Sequence, residues 1–186
     1  LKFYAFFFSV VGMRMAELII AKRNERALKA MGAKEFGKLH YRWMVIMHVL
    51  FLLSFLLEAL YKGARLSRWW SLFLPMFLIV QVLRIWTIFS LGTFWNTKIL
   101  VLPNVPVVVK GPYRFLRHPN YLVVTLEIIL IPLLFQAYGT AVVFSILNAY
   151  TLSIRISLEE KTLMSMTNYG HAFQKRPRFF PFFPAR

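Results

Sequence analysis

Residues 121–157 read YLVVTLEIILIPLLFQAYGTAVVFSILNAYTLSIRIS, and the fold turns on how this stretch is divided. Its single polar break is Gln136 to Gly139. A helix that crosses a bilayer needs about 20 mainly apolar residues. Cutting at the break gives two short spans, Tyr121–Tyr138 and Gly139–Ser157, joined as a tight helical hairpin. Three further apolar segments precede it: Leu1–Ala21, Trp43–Tyr61 and Trp69–Leu91. Trp43, Tyr61, Trp69, Trp70 and Tyr138 stand at segment ends, where an interfacial aromatic belt belongs. The expectation is an all-α polytopic membrane protein with five transmembrane helices. Its pocket is expected on the cytoplasmic side, built from the loop before helix four and the C-terminal segment. Residues 1–186 read as a single membrane domain, in which 1–68 hold the first two spans and a basic loop. Pro75 and Pro132 are expected to kink their helices.

Composition supports the same class. Hydrophobic residues make up 59% of the chain and charged residues only 16%, against about 25% charged in ordinary soluble domains. The 23 Lys and Arg outweigh seven acids, all of them Glu, for a net charge of +16. That charge is spread between apolar runs, which suits an anionic membrane face better than nucleic acid, so no nucleic-acid partner is expected. The chain has no Cys, which removes disulfides, zinc thiolate sites and thiol nucleophiles; no metal site is expected. The first segment differs from a signal peptide because Arg14 and Glu17 interrupt its apolar run.

The distribution of basic residues gives an orientation. Lys22, Arg23, Arg26, Lys29, Lys34, Lys38 and Arg42 fill the first loop. Lys98, Lys110, Arg114 and Arg117 lie in the third, and Lys161, Lys175, Arg176, Arg178 and Arg186 in the tail. The second loop has only Lys62, Arg65 and Arg68. The N-terminus is therefore expected outside and the C-terminus in the cytoplasm.

Charged residues inside spans need partners or a wet cavity. Arg14 and Glu17, three apart, can pair on one helix face. Glu127 has no basic neighbour in sequence; Arg84, deep in the third span, is its expected partner, and substrate binding by Glu127 is the alternative. His48 and Glu58 read as a packed imidazole and a carboxyl near a segment end.

Two clusters carry the dense polar chemistry. The first is Gly111-Pro112-Tyr113-Arg114-Phe115-Leu116-Arg117-His118-Pro119-Asn120-Tyr121. Val105 to Val109 before it should be extended. Pro119 suits the first turn of the fourth span, whose free amides can receive a polar ligand group. The second cluster is Arg155-Ile156-Ser157-Leu158-Glu159-Glu160, where Arg155 and Glu159 share a helix face. The hairpin returns it to the same membrane face as His118, under a roof formed by the aromatic tail 169–183. An ordinary basic loop and a structural ion pair also fit these residues taken alone.

In these segments, together with the L…YG…F…RPRFFP pattern of residues 163–181, the sequence resembles the isoprenylcysteine carboxyl methyltransferase family of integral membrane enzymes. The resemblance covers roughly residues 70 to 181, so 69–186 would be the catalytic core. It implies an S-adenosyl-L-methionine-dependent methyltransferase that acts on an oxygen, carboxylate or acidic hydroxyl, of a lipophilic small-molecule or prenylated acceptor drawn from the membrane. Val105, Pro106, Val107 and Val108 would lie along the cofactor. Tyr113, His118, Pro119, Asn120 and Tyr121 would complete its pocket, and Glu159 would hydrogen-bond it. Arg155 matches the family's substrate-orienting, catalytic arginine. The run 98–106 is similar to bacterial members that resemble alkylpyrone and alkylresorcinol O-methyltransferases. Phe173 stands where many members have Tyr, and Pro103-Asn104-Val105-Pro106 replace polar residues of other members. The loop pattern is shared with phospholipid N-methyltransferases. An NADPH-dependent membrane reductase and a non-catalytic scaffold are the rival classes.

Overall fold

The computed structural model describes residues 1–174 and 176–179. Its helices are α1 Lys2–Ala30, α2 Lys38–Tyr61, α3 Trp70–Leu91, α4 Pro119–Leu133, α5 Tyr138–Met166 and the short α6 Tyr169–Phe173. Strands β1 Lys34–Phe36 and β2 Ile99–Val101 form a two-stranded antiparallel ribbon. Helices α1, α2, α3 and α5 are long and apolar enough to cross a membrane; α4 is apolar and shorter. The five-helix architecture stands, with the ribbon as an unforeseen addition.

Several helix ends explain the observed boundaries. The fourth span stops at Leu133, short of the expected Tyr138, because Gln136 takes a left-handed conformation at φ 61. The amide of Ala137 then donates to the Pro132 carbonyl at 2.9 Å, which closes the helix in a Schellman turn. Gly63 ends α2 in the same way: its φ is 74, and Ala64 N–H donates to Ala59 O at 2.7 Å. Pro75 lies inside α3 and Pro132 near the end of α4. At the start of α5, Ala137 has no side chain to cap the helix. Glu58 of α2 does so instead, accepting from the amides of Gly139 and Thr140 at 3.0 and 2.6 Å. A carboxylate at a helix N-terminus also opposes the positive end of the dipole.

The core at this end is aromatic. Phe3 packs edge-on against Phe55 and Phe135, with ring centroids 5.6 and 5.0 Å apart. Exposed apolar side chains such as Phe89, Val82, Ile79 and Ile146 cover the outer faces of the bundle, as a lipid-facing surface requires.

The opposite end positions the polar clusters. The ribbon ties the loop after α1 to the loop after α3, so both lie at one end. Asn24 of α1 donates to the carbonyls of Gly92 and Trp95 at 3.0 and 2.7 Å, satisfying backbone groups where α3 gives out. Residues 105–110, which include the expected extended stretch Val105–Val109, form neither helix nor strand, and a turn at Pro103–Asn104, with Asn104 at φ 62, precedes them. The run is pinned to the end of α5 by Asn104 N–H to Met166 O at 3.0 Å, and to Asn168 Oδ1 by Val107 N–H at 2.9 Å.

Within the bundle, Arg14, Glu17, Arg84 and Glu127 form one charge-balanced quartet. Arg14 donates to Glu17 at 2.7 Å and to Glu127 at 2.6 Å. Arg84 donates to Glu17 at 3.0 Å and holds both oxygens of Glu127. Gln81 adds a hydrogen bond to Glu127 at 2.8 Å. The expected Arg84–Glu127 partnership is present, and it joins α1, α3 and α4.

Candidate functional site

The loop between α3 and α4 reaches the site through a 3₁₀ turn, Gly111–Arg114, seated on α3. Gly111 has φ 52, and a Cβ there would fall 2.0 Å from Ser90 Oγ and 2.8 Å from Trp86 Nε1. Gly111→Ala is therefore expected to destabilise the protein by more than about 1 kcal/mol. Gly170→Ala, where nothing lies within 4 Å of the added carbon, should be close to neutral. Thermal unfolding of both variants in detergent checks the contrast.

His118 sits just before α4 and is buried. Its Nε2 lies 3.0 Å from Glu160 Oε1 and 3.4 Å from the Tyr169 hydroxyl. Its ring stacks on Tyr121 at 5.3 Å. The Tyr121 hydroxyl donates to Glu159 and accepts from Arg155 Nε at 3.0 Å. Arg155 Nη2 donates to the Thr97 carbonyl at 2.8 Å, while its buried Nη1 has no partner among the described residues. Arg155 and Glu159 thus share a face as expected, linked through a tyrosine hydroxyl.

The two adjacent glutamates have different duties. Glu160 accepts from Arg178 Nη2 at 2.6 Å and Nε at 3.1 Å, besides facing His118. Arg117 amide N–H donates to Pro177 O at 3.0 Å and its Nε to Arg176 O at 2.5 Å. Glu160 and Arg117 together fasten residues 176–178 beside α4. Sequence reasoning gave Glu160 no role. Its signal was only a second carboxylate one residue beyond Glu159, facing a buried histidine.

These residues enclose a cavity of about 150 Å³. Val105, Pro106, Val107, Val108, Tyr113, His118, Asn120, Tyr121, Arg155 and Glu159 all line it. Pro119 does not: it is fully buried as the first residue of α4. Tyr169 and Phe173 of the tail close one side, their rings 4.9 Å apart; residues 180–183 lie outside the described residues. Burial pushes the Tyr113 phenol well above its usual pKa, and the Glu159 carboxylate adds to this. Burial raises Tyr169 as well, with Glu160 adding to it. Both remain uncharged hydroxyls at neutral pH.

A second cavity, of about 290 Å³, opens within the helix bundle. Glu127 lines this one and not the first. Trp95, Asn96, Asn120, Tyr121 and Arg155 belong to both walls. A polar chamber at the bundle end and a mainly apolar chamber between the helices therefore meet at Arg155 and Tyr121.

Residues 73–165 match the model of the isoprenylcysteine carboxyl methyltransferase (ICMT) family. The chain belongs to the ICMT family. The match spans α3 through nearly all of α5, and so includes both polar clusters and both faces of the shared wall. The uncharacterized protein YpbQ of Bacillus subtilis (strain 168) is 50% identical over 83% of this chain and 92% of its own length. An uncharacterized protein of Haemophilus influenzae is 28% identical over 91% of this chain and 95% of its own. No solved structure gave a significant match. Family membership, with the apolar helices, supports a multi-pass membrane methyltransferase, and ICMT methyltransferases generally use S-adenosylmethionine.

Proposed function

We propose that this ICMT-family protein transfers a methyl group from S-adenosylmethionine to an oxygen of a lipophilic acceptor, on the cytoplasmic face of the membrane. The carrying observation is the wall of Tyr121 and Arg155 shared by the two cavities. One chamber is lined by loops and suits a polar donor; the other lies among helices and suits a lipid. The excess of basic residues in the first and third loops favours their cytoplasmic placement, with the N-terminus outside. The quartet and the ribbon join residues 1–68 to 69–186, which supports one working unit.

The first chamber fits the methyl donor chemically. Among the described residues, the amides of Val105 and Val108 and the carbonyls of 105–108 have no protein partner, so this run has main-chain groups free for a ligand. Among the described residues Glu159 has one partner, Tyr121, which leaves it acceptor capacity. Tyr113, His118 and Asn120 would complete the holding set. When bound, S-adenosylmethionine supplies a methyl already activated on a sulfonium, and the C–O bond forms as the C–S bond breaks, with sulfur keeping the electron pair.

The chain's own residues then have three tasks. Arg155, fixed by Tyr121 and Thr97, has an Nη1 without a partner among the described residues, and this group would hold an anionic oxygen and align it. An acceptor that is already a carboxylate or ionised hydroxyl needs no strong base. Tyr113, Tyr169 and Phe173 keep water from the reacting groups by packing across one side of the chamber.

The test is incubation of the purified protein with methyl-labelled S-adenosylmethionine and a bacterial lipid extract, followed by mass identification of labelled product. The expected product is an O-methyl ester or ether. Label on an amine headgroup would instead establish phospholipid N-methylation, and no label in any lipid would overturn the reading.

A further inference from the structure

The second cavity has polar groups at two depths. The upper depth is the shared wall, with Arg155 and Tyr121. The lower depth lies within the bundle. Helices α2 and α5 run antiparallel, with Ser54 against Thr140 at 2.8 Å and Met47 against Thr151 at 3.9 Å. This register puts His48 level with Asn148, and Tyr41 level with Arg155. Tyr41 and Arg155 accordingly both reach Thr97. Seven residues of helix separate Asn148 from Arg155, a rise of about 10 Å. Thr125 of α4 meets Asn148 at 3.1 Å, which brings Glu127 and its quartet to the same lower depth.

Hydrogen-bond capacity at the lower depth is unevenly used. The quartet is charge-balanced, and its carboxylates are engaged. Asn148 is different: it is only 1% exposed, and its Oδ1 is buried without a partner among the described residues. The orientation of its amide is fixed by chemistry. Thr125 has one hydroxyl proton and gives it to the Tyr121 carbonyl at 2.9 Å. Asn148 must therefore donate to Thr125, and its carbonyl oxygen is left over. His48 repeats the pattern: Nδ1 lies 2.7 Å from the Met44 carbonyl, so Nδ1 carries the proton. In the uncharged ring Nε2 is then an acceptor, and it has no partner among the described residues. Both side chains line the second cavity. A buried acceptor without a donor is costly; Asn148 Oδ1 is such an acceptor, and the partly buried His48 stands at the same depth on the cavity wall.

We propose that the acceptor lipid carries a second polar group, a hydrogen-bond donor such as a hydroxyl or amide N–H, about 10 Å along its chain from the oxygen that Arg155 holds. Asn148 and His48 receive that donor. The site thereby selects a chain polar at two points over a plain alkyl or prenyl chain. The inference rests on the methyltransferase reading for the role of Arg155, but its test does not need turnover.

Three probes decide it: octadecanoate, 10-hydroxyoctadecanoate and 3-hydroxyoctadecanoate, titrated into the full-length protein in detergent. The carboxylate supplies the group for Arg155 in all three. The 10-hydroxy acid should bind about tenfold more tightly than octadecanoate, and the 3-hydroxy acid should show no gain. Asn148→Leu, which keeps the side-chain size, should remove most of the preference, and His48→Leu part of it. Equal affinity for all three acids in the wild-type protein would mean that the two acceptors hold only water, and would overturn the proposal. So would a preference undiminished in Asn148→Leu, or failure of all three acids to bind. S-adenosylmethionine binding, measured on the same preparation, separates the two claims. If it persists without the chain preference, only the second polar level is rejected. If the preference persists without it, the methyltransferase reading is what fails.

Discussion

Replacing Glu127 with alanine is expected to lower stability by about 3–5 kcal/mol, the cost of stranding buried charges when one partner is removed. Glu127 accepts from Arg14, Arg84 and Gln81, and its side chain is only 4% exposed. Without it, two arginines share Glu17 alone inside the bundle. Glu127→Gln keeps the shape but not the charge, and should cost less than the alanine variant. A double replacement, Arg84→Met with Glu127→Leu, should recover much of the loss, because it removes one cation and one anion together. The Arg14–Glu17 pair at 2.7 Å survives that change. Unfolding in detergent, followed by tryptophan fluorescence, gives the three values. An alanine variant as stable as wild type would show that the quartet does not hold α1, α3 and α4 together.

Arg155→Ala is expected to reduce methyl transfer by about 10²–10³-fold, the loss seen when a single positioned donor is removed. Donor affinity should fall far less. Arg155→Lys should not rescue turnover. The guanidinium reaches Tyr121 through Nε and Thr97 through Nη2, and its buried Nη1 has no partner among the described residues. A single ammonium cannot keep both of these contacts and also supply a second nitrogen for the acceptor. Single-turnover rates with saturating labelled donor, set beside donor binding, separate the two effects. Equal losses in rate and donor binding would mean that Arg155 serves the donor chamber and not the acceptor.

The bundle was legible because apolar runs of spanning length admit few alternatives. The Gln136–Gly139 break and the aromatic segment ends placed the hairpin. What hydropathy could not show was where helices continue as polar rods. Helix α1 runs on to Ala30, supported by Lys29 bonding Glu25 at 2.5 Å, after its apolar pattern stops at Ala21. Helix α5 likewise continues past Ser157 to Met166. Gln136 ends α4 in a conformation usually left to glycine, and no residue type announced it. A three-residue strand such as Lys34–Phe36 has too little pattern to be seen, since its pairing with Ile99–Val101 is entirely tertiary.

The site was legible in its parts and not in its wiring. Residues 111–121 and 155–160 declared themselves by dense polar chemistry between apolar spans. The phase of α5 decided the rest. Arg155 and Glu159 lie on one face toward Tyr121, whereas Glu160 is turned toward His118 and Arg178. The pairing of Arg14 and Glu17 could be read from their spacing. Their closure on Arg84 and Glu127 needed the helices in place.

Calorimetric titration of S-adenosylmethionine into the wild-type, His118→Ala and Glu159→Ala proteins tests the account most directly. A donor held between the loop before α4 and the end of α5 predicts binding to wild type, weakened at least about tenfold in each variant. Affinity unchanged in both variants, or no binding by the wild-type protein, would contradict it.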